Sequence, residues 1–285
     1  MIKRTYLKHK ETADNFFWRS LQIFGKQGLT FLIFIICARL LSPYEFGIYN
    51  YVLAFIFFLI IFGDFGISTA TSKFVAEYNV KDKDKLKIVF FNSAFIIFIL
   101  TLIVSILVLL FGKPFLNDKY LYVIYTLPLL FLAPITSLYD GIYRGLKKFK
   151  QLSIISVVVG LISLGFVYIF IKKYGLIGAL ISQNLFYLLL TIVLAFGYKD
   201  FKLKFNKNII KEIAIYSSLV GLSSIGYFLY TRVDILVLGH FGFVEQIGYY
   251  EIINKIFMLM IMPVLLLGTV VAPNTTKYFA LKKYT

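Results

Sequence analysis

A single cysteine, Cys37, stands in this 285-residue sequence. It lies in an apolar run without a partner, which excludes a disulfide framework and a thiolate metal site. Histidine is almost as scarce. His9 and His240 fall in different connectors, with no cluster of ligating side chains around either, so no metal site is expected. Charge is thin as well: 15% of residues are charged, where a soluble chain of this length carries about a quarter. Acids are thinnest, with 14 Asp and Glu against 30 Lys and Arg. Isolated carboxylates offer little for general acid–base chemistry, so neither catalysis nor a cofactor is expected. The opening MIKRTYLKHKETADN has no apolar core and no small-residue cleavage site, and no removable signal peptide is expected.

What is plentiful is apolar. Hydrophobic residues make up 60% of the chain, and the mean hydropathy is +0.83. The polar residues left over cannot cover a water-facing surface, so the solvent for most of the chain is lipid. The net charge of +16 does not point to nucleic acid. Nearly all of it sits in short connectors between apolar runs, and no basic patch interleaved with stacking aromatics lies outside those runs. Basic connectors are what anionic inner-leaflet lipids attract.

A bilayer core of about 30 Å takes about 20 apolar residues in a helix. Eight stretches qualify, at about 18–41, 47–70, 88–111, 121–140, 152–171, 176–197, 213–237 and 246–272. The fold class is therefore an all-α polytopic membrane protein. Alternate connectors differ sharply in Lys and Arg. One set carries 22 and the other carries 6, with Lys26 and Lys255 inside spans. By the positive-inside rule the richer set, and with it the amino terminus, faces the cytoplasm. The outer connectors SPYEFG, GKPFLNDKY and KKYG are too short for a domain.

The longest polar break is YKDFKLKFNKNIIKE, after the sixth span. It suggests a tail at 1–17, a six-helix bundle at 18–198, a linker at 199–212 and two helices of a second unit at 213–285. A weak internal repeat agrees with that division. EFGIYNY after the first helix matches EQIGYYE after the seventh, and SKFVAEY at the end of the second matches TKYFALK at the end of the eighth. Gly47 and Gly248 are thereby offset by 201, and Lys73 and Lys277 by 204. In transporters, parallel repeats place the substrate between the halves.

Three stretches resemble one family. They are ARLLSPYEFGIYNYVLAFIFFLIIFGDFGISTATSKFVAEY, then YRGLKKFK after the fourth span, then RVDILVLGHFGFVEQIGYYEIINKI. In this order they are similar to the polysaccharide flippases of the multidrug/oligosaccharidyl-lipid/polysaccharide exporter superfamily. The resemblance implies two six-helix bundles forming a V around a central cavity. It implies passage of undecaprenyl-pyrophosphate-linked sugar across a bacterial inner membrane without covalent chemistry. Its partners would be that lipid-linked oligosaccharide, the surrounding lipids, and a polysaccharide polymerase with its chain-length machinery. Against the family pattern, the sequence supplies the first bundle and two helices of the second, so four more helices are expected in the gene. Alternatives within the superfamily are a lipid II flippase and a cation-coupled drug exporter. The latter often needs an acid embedded in the first helix, whereas Glu11 and Asp14 precede it. From another class, a membrane polymerase or glycosyltransferase would need a large outer loop or catalytic domain.

Arg19, Gln22, Lys26 and Thr30 are spaced three and four apart and form one helix stripe. Lys26 lies about 10 Å deeper than Arg19 at 1.5 Å per residue. A cation at that depth costs about 2.5 kcal/mol or more unless it faces protein or water. The stripe therefore suits a pyrophosphate head group; the plainer reading is that Lys26 snorkels to the interface. Asp64, at similar depth in FGDFG, is a candidate ion-pair partner for Lys26, or else an interfacial carboxylate between glycines. Lys255 is a further candidate substrate contact, and Glu251, four residues before it, can bridge to it along one helix face. Arg232 and Asp234 read as helix-end charges, and Ser153, Ser156, Gly160 and Ser163 as a helix-packing face.

The charge asymmetry yields a direct test. In a Cys37→Ser background, single cysteines within 81–87 are expected to escape an impermeant thiol reagent applied to whole cells, while those within 113–117 react. The reverse pattern would overturn the orientation.

Overall fold

A computed structural model describes residues 2–258, 260 and 261, with side chains at 14, 17–258, 260 and 261. Among the described residues every regular element is a helix. The predicted kink at Pro263, the far end of the eighth span and the Lys73–Lys277 match lie outside them.

Helix α1 runs Ile2–Leu40 and is followed by a tight connector to α2, Pro43–Asp64. The start of α2 is written in four residues. The Ser42 hydroxyl accepts from Glu45 N, the Glu45 carboxylate accepts from Ser42 N at 3.0 Å, and Pro43 sits where no amide hydrogen is needed. The predicted span 47–70 is not one helix. Phe65 (φ 40°) and Gly66 (φ 80°) are left-handed, which ends α2 and starts α3, Ile67–Lys81. Gly66 tolerates that conformation, and it also lets Ser217 O and Gly221 N come close.

Asp82 caps α4, Lys83–Leu116, by accepting from the amides of Asp84 and Lys85. A short 3₁₀ turn, Asn117–Lys119, leads to α5, Tyr120–Thr126, and Pro128 opens α6, Leu129–Gly145. The fourth predicted span is thus α5 plus α6. Helix α7, Phe149–Gly197, would measure about 74 Å if straight. It is broken at Gly175 (φ 54°, ψ −133°), where the chain folds back so that the Phe170 carbonyl meets Gly178. Its two limbs are the fifth and sixth spans. Helix α8 is Lys207–His240, and α9 begins at 244 after a turn through Gly242. Among the described residues five stretches are long and apolar enough to cross a bilayer by themselves: Phe17–Leu40, Pro43–Asp64, Lys83–Thr126, Phe149–Gly197 and Lys207–His240.

Small residues decide how closely these rods approach, as expected where lipid supplies no hydrophobic drive between helices. Helix α1 lies along α7, with Leu29 filling the space left by Gly160 and Val157 that left by Gly25. Helix α6 lies on α3, where Gly141 meets the Ser68 carbonyl and Gly145 the Ser72 carbonyl. Tyr143 donates to Leu194 O (3.1 Å), and Thr136 and Thr191 share a hydrogen bond of 2.6 Å, tying α6 to α7. The Ser153 and Ser163 side chains are buried in this region.

The repeat-matched glycines meet each other. Gly47 rests on the Val244 carbonyl and Gly248 rests near the Pro43 carbonyl, 3.2 Å from where a Cβ would lie. Positions 43 and 244 are offset by 201, as are 47 and 248. The starts of α2 and α9 therefore cross reciprocally about a local twofold.

The stretch read as a linker, 199–212, is not a loose tether. Residues 199–206 form no regular element and are bonded along α4. Lys202 N donates to Lys87 O (2.7 Å). Asn92 donates to Lys204 O (3.0 Å) and accepts from Asn206 N (2.9 Å). Phe205 stacks edge-on against Phe91 and Phe95.

At the crossing, Gly47→Ala must push a backbone carbonyl aside, an overpacking that costs about 1–3 kcal/mol. Gly165, on α7, faces open space, and Gly165→Ala should leave the thermal midpoint in detergent unchanged or raise it. Equal midpoints for both variants would contradict the close approach.

Candidate functional site

Two adjoining cavities run between the helices. One, of about 480 Å³, is lined from α1, α2, α6 and α7 and includes Arg19, Gln22, Lys26, Thr136, Ser137 and Asp140. The other, of about 220 Å³, is lined from α1, α2, α7, α8 and α9 and includes Lys26, Tyr49, Asn50, Gln183, Arg232, Glu251 and Lys255. Lys26, Phe57, Ser156, Phe186 and Tyr187 line both, so Lys26 stands where the two meet. The helical stripe on α1 explains this placement: three- and four-residue steps keep Arg19, Gln22 and Lys26 on one face while depth increases.

In the larger cavity Gln22 is buried and central. It accepts from the Arg19 guanidinium and donates from Nε2 to Asp140 Oδ1 at 3.0 Å. Arg144, one turn beyond Asp140 on α6, brings Nε to 2.6 Å from Oδ2. Sequence reading missed both residues. The signal was present, an acid at the end of the fourth span with an arginine four positions on.

Lys26 takes part in no ion pair among the described residues. The predicted Lys26–Asp64 pair is not formed. Asp64 is half-buried at the α2–α3 break and accepts from the amide and hydroxyl of Ser68. Its carboxylate satisfies the first turn of α3, where amides lack helical partners, and it lines neither cavity with Lys26.

The predicted Glu251–Lys255 bridge gives way to another. Glu251, whose side chain is 4% exposed, pairs with Arg232 at 2.5 Å across the α8–α9 hairpin. Asp234 accepts from Tyr250. Arg232 is thus a cavity residue rather than a helix-end charge. Lys255 points to α1, its Nζ 5.5 Å from the centre of the Phe34 ring, a cation–π distance. Ser156, Gly160 and Ser163, read as a packing face, also line the smaller cavity. Tyr49, whose hydroxyl accepts from Gln183 (2.7 Å), completes its polar wall.

The site and fold together define a class: a multi-pass helical membrane protein with an internal, cation-rich cleft between its helices. Comparison with known proteins carries this further. A family model described as "Polysaccharide biosynthesis protein" matches residues 12–279, and the chain belongs to that family. It is 30% identical over 261 residues to an uncharacterized membrane protein of Methanocaldococcus jannaschii, covering 81% of this chain and 61% of that one. The chain thus spans about three fifths of that relative's length. Among solved structures it resembles an inward-facing multidrug resistance MATE family transporter of the MOP superfamily. There the TM-score is 0.71 at 19% identity, with 93% of this chain and 67% of the other covered. It also resembles a MOP superfamily transporter from Pyrococcus furiosus whose structure is described by a reversed polarity of its binding pocket. In that case the TM-score is 0.60 at 21% identity, with 87% and 60% covered.

The Arg232–Glu251 pair can be tested for its structural share. Arg232→Met leaves a buried carboxylate without its partner and is expected to cost about 3–5 kcal/mol. Arg232→Met/Glu251→Gln is expected to recover most of that loss in thermal unfolding. A double variant no more stable than the single one would show that the pair is not the source of the cost.

Proposed function

We propose that this protein is a membrane transporter that flips an undecaprenyl-pyrophosphate-linked oligosaccharide from the cytoplasmic to the outer leaflet of the cell membrane for surface polysaccharide synthesis. The observation that carries the reading is Lys26, a cation with no counter-ion among the described residues, at the meeting point of two internal cavities. A pyrophosphate sheds hydration on leaving water and needs compensating cations where it arrives. Arg19 lines the larger cavity on one side of Lys26, and Arg232 and Lys255 line the smaller cavity on the other. With the basic connectors in the cytoplasm, Arg19 meets the head group first and Lys26 second. Lipid-linked sugars are made on that side. Family membership supports the substrate class.

A drug exporter of the same superfamily is the second reading, favoured by the fold likeness and by the aromatic lining of the smaller cavity, where Phe34, Phe57, Phe186 and Phe228 line the wall. Its charge speaks against a cationic drug. Among the described residues its lining sets Lys26, Arg232 and Lys255 against one carboxylate, Glu251. A lipid II flippase shares the diphosphate chemistry and differs in the group that the diphosphate carries.

Complementation of a flippase-deficient strain tests the proposal. Lys26→Ala is expected to lose most surface polysaccharide at unchanged protein level, and Lys26→Gln to behave alike. Lys26→Arg should keep substantial activity, since the role requires charge more than shape. Normal polysaccharide from well-expressed Lys26→Ala would remove the lysine from the mechanism. Drug resistance conferred by the wild type without polysaccharide would favour the exporter.

A further inference from the structure

We propose that Asp140 is a tethered stand-in for the substrate's phosphate: it occupies the anion seat between Gln22 and Arg144, and a diphosphate binds by displacing it. The inference rests on the transport reading above and names what determines its selectivity.

The seat is built from donors. Gln22 Nε2 donates to Asp140 Oδ1 at 3.0 Å, while Arg144 Nε lies 2.6 Å from Oδ2. The Gln22 carbonyl is itself held by Arg19, so a second guanidinium stands one hydrogen bond behind the first partner. An amide donor and a guanidinium on one anion, with a second guanidinium behind the amide, are a set that phosphate oxygens use well. Two details mark Asp140 as a temporary occupant. Arg144 Nε is buried, yet its N–H is not aligned on any acceptor despite the short approach. The Asp140 and Arg144 side chains keep 27% and 26% exposure, within reach of an incoming ligand. Arg19, Gln22, Lys26 and Asp140 all line the 480 Å³ cavity, so the ligand would arrive at the seat and at Lys26 together.

Exchange of one anion for another solves a problem of the empty state. Cations lining a lipid-flanked cavity are costly unless compensated. With Asp140 in the seat, Arg144 is compensated directly and Arg19 through Gln22 before substrate arrives. The exchange also discriminates. A ligand must outcompete a carboxylate that is covalently held in place. A diphosphate does so with its additional charge, and a monophosphate does so poorly. Asp140 is thereby a specificity-determining residue for diphosphates.

The test uses the purified protein in zwitterionic nanodiscs, with geranylgeranyl diphosphate, geranylgeranyl monophosphate and inorganic pyrophosphate as probes. Asp140→Asn keeps the shape and removes the charge. It is expected to tighten diphosphate binding by about tenfold or more, on the scale of one like charge removed from beside a bound anion at an effective dielectric near 20. It should tighten the monophosphate further, shrinking the preference between them. Asp140→Glu should stay within about twofold of wild type. Binding of the lipid probe but not of pyrophosphate assigns the seat to a lipid head group; equal binding of both assigns it to the diphosphate alone. Should Asp140→Asn fail to fold, infrared difference spectra of the wild type decide: diphosphate must perturb a carboxylate stretch that Asp140→Glu shifts. Weaker or unchanged binding by folded Asp140→Asn, or no such carboxylate band, overturns the inference and leaves the transport reading standing. Absence of diphosphate binding in the wild type overturns both.

Discussion

The cost of holding a charge away from water governs this structure more than any other interaction. In a chain that is 60% hydrophobic, each ionisable group inside a span needs a partner, a cavity or a route to the interface. Asp64 is absorbed by the broken end of a helix, Glu251 by Arg232, and Asp140 by Gln22 and Arg144. Lys255 rests on an aromatic face. Among the described residues Lys26 has no such partner. The two cavities around it are the remaining solution, because they admit water or ligand where the helices leave room.

Room is set by glycine and serine. Where Gly141, Gly145 and Gly160 sit, helices come together until backbone or a leucine fills the gap. Where larger aromatic residues such as Phe57, Phe186 and Tyr187 line the walls, they hold the helices apart. The same α1–α7 seam thus packs tightly at Leu29 and Gly160 and still borders the smaller cavity. Close contact and open space are two outcomes of side-chain volume along one pair of helices.

Much of this was legible in the sequence, and the rest was not for identifiable reasons. Span positions followed from apolar run length, and the Arg19–Gln22–Lys26 stripe from helical spacing alone, because both depend on local order. Breaks within spans were harder. The FGDFG stretch carried the glycines that end α2, yet continuous apolarity hid the interruption at Phe65. Ion pairs within the spans were assigned by proximity along one helix or by equal depth, and both criteria fail when a hairpin offers a better partner. Glu251 therefore went to Lys255 instead of Arg232, and Asp64 to Lys26 instead of Ser68. Asp140 was overlooked because it sat at the edge of a span, although its spacing to Arg144 was on view.

The irregular segment at 199–206 has a mechanical consequence. Eight residues of free chain would give the helices on either side of it ample slack. Pinned at Lys87, at Asn92 on both sides of its amide, and between two phenylalanine rings, the segment has almost none. It behaves as a strap bonded along its length to α4. A tilt of α8 at this end is therefore handed directly to α4, and the connection works as a coupling rod instead of a leash.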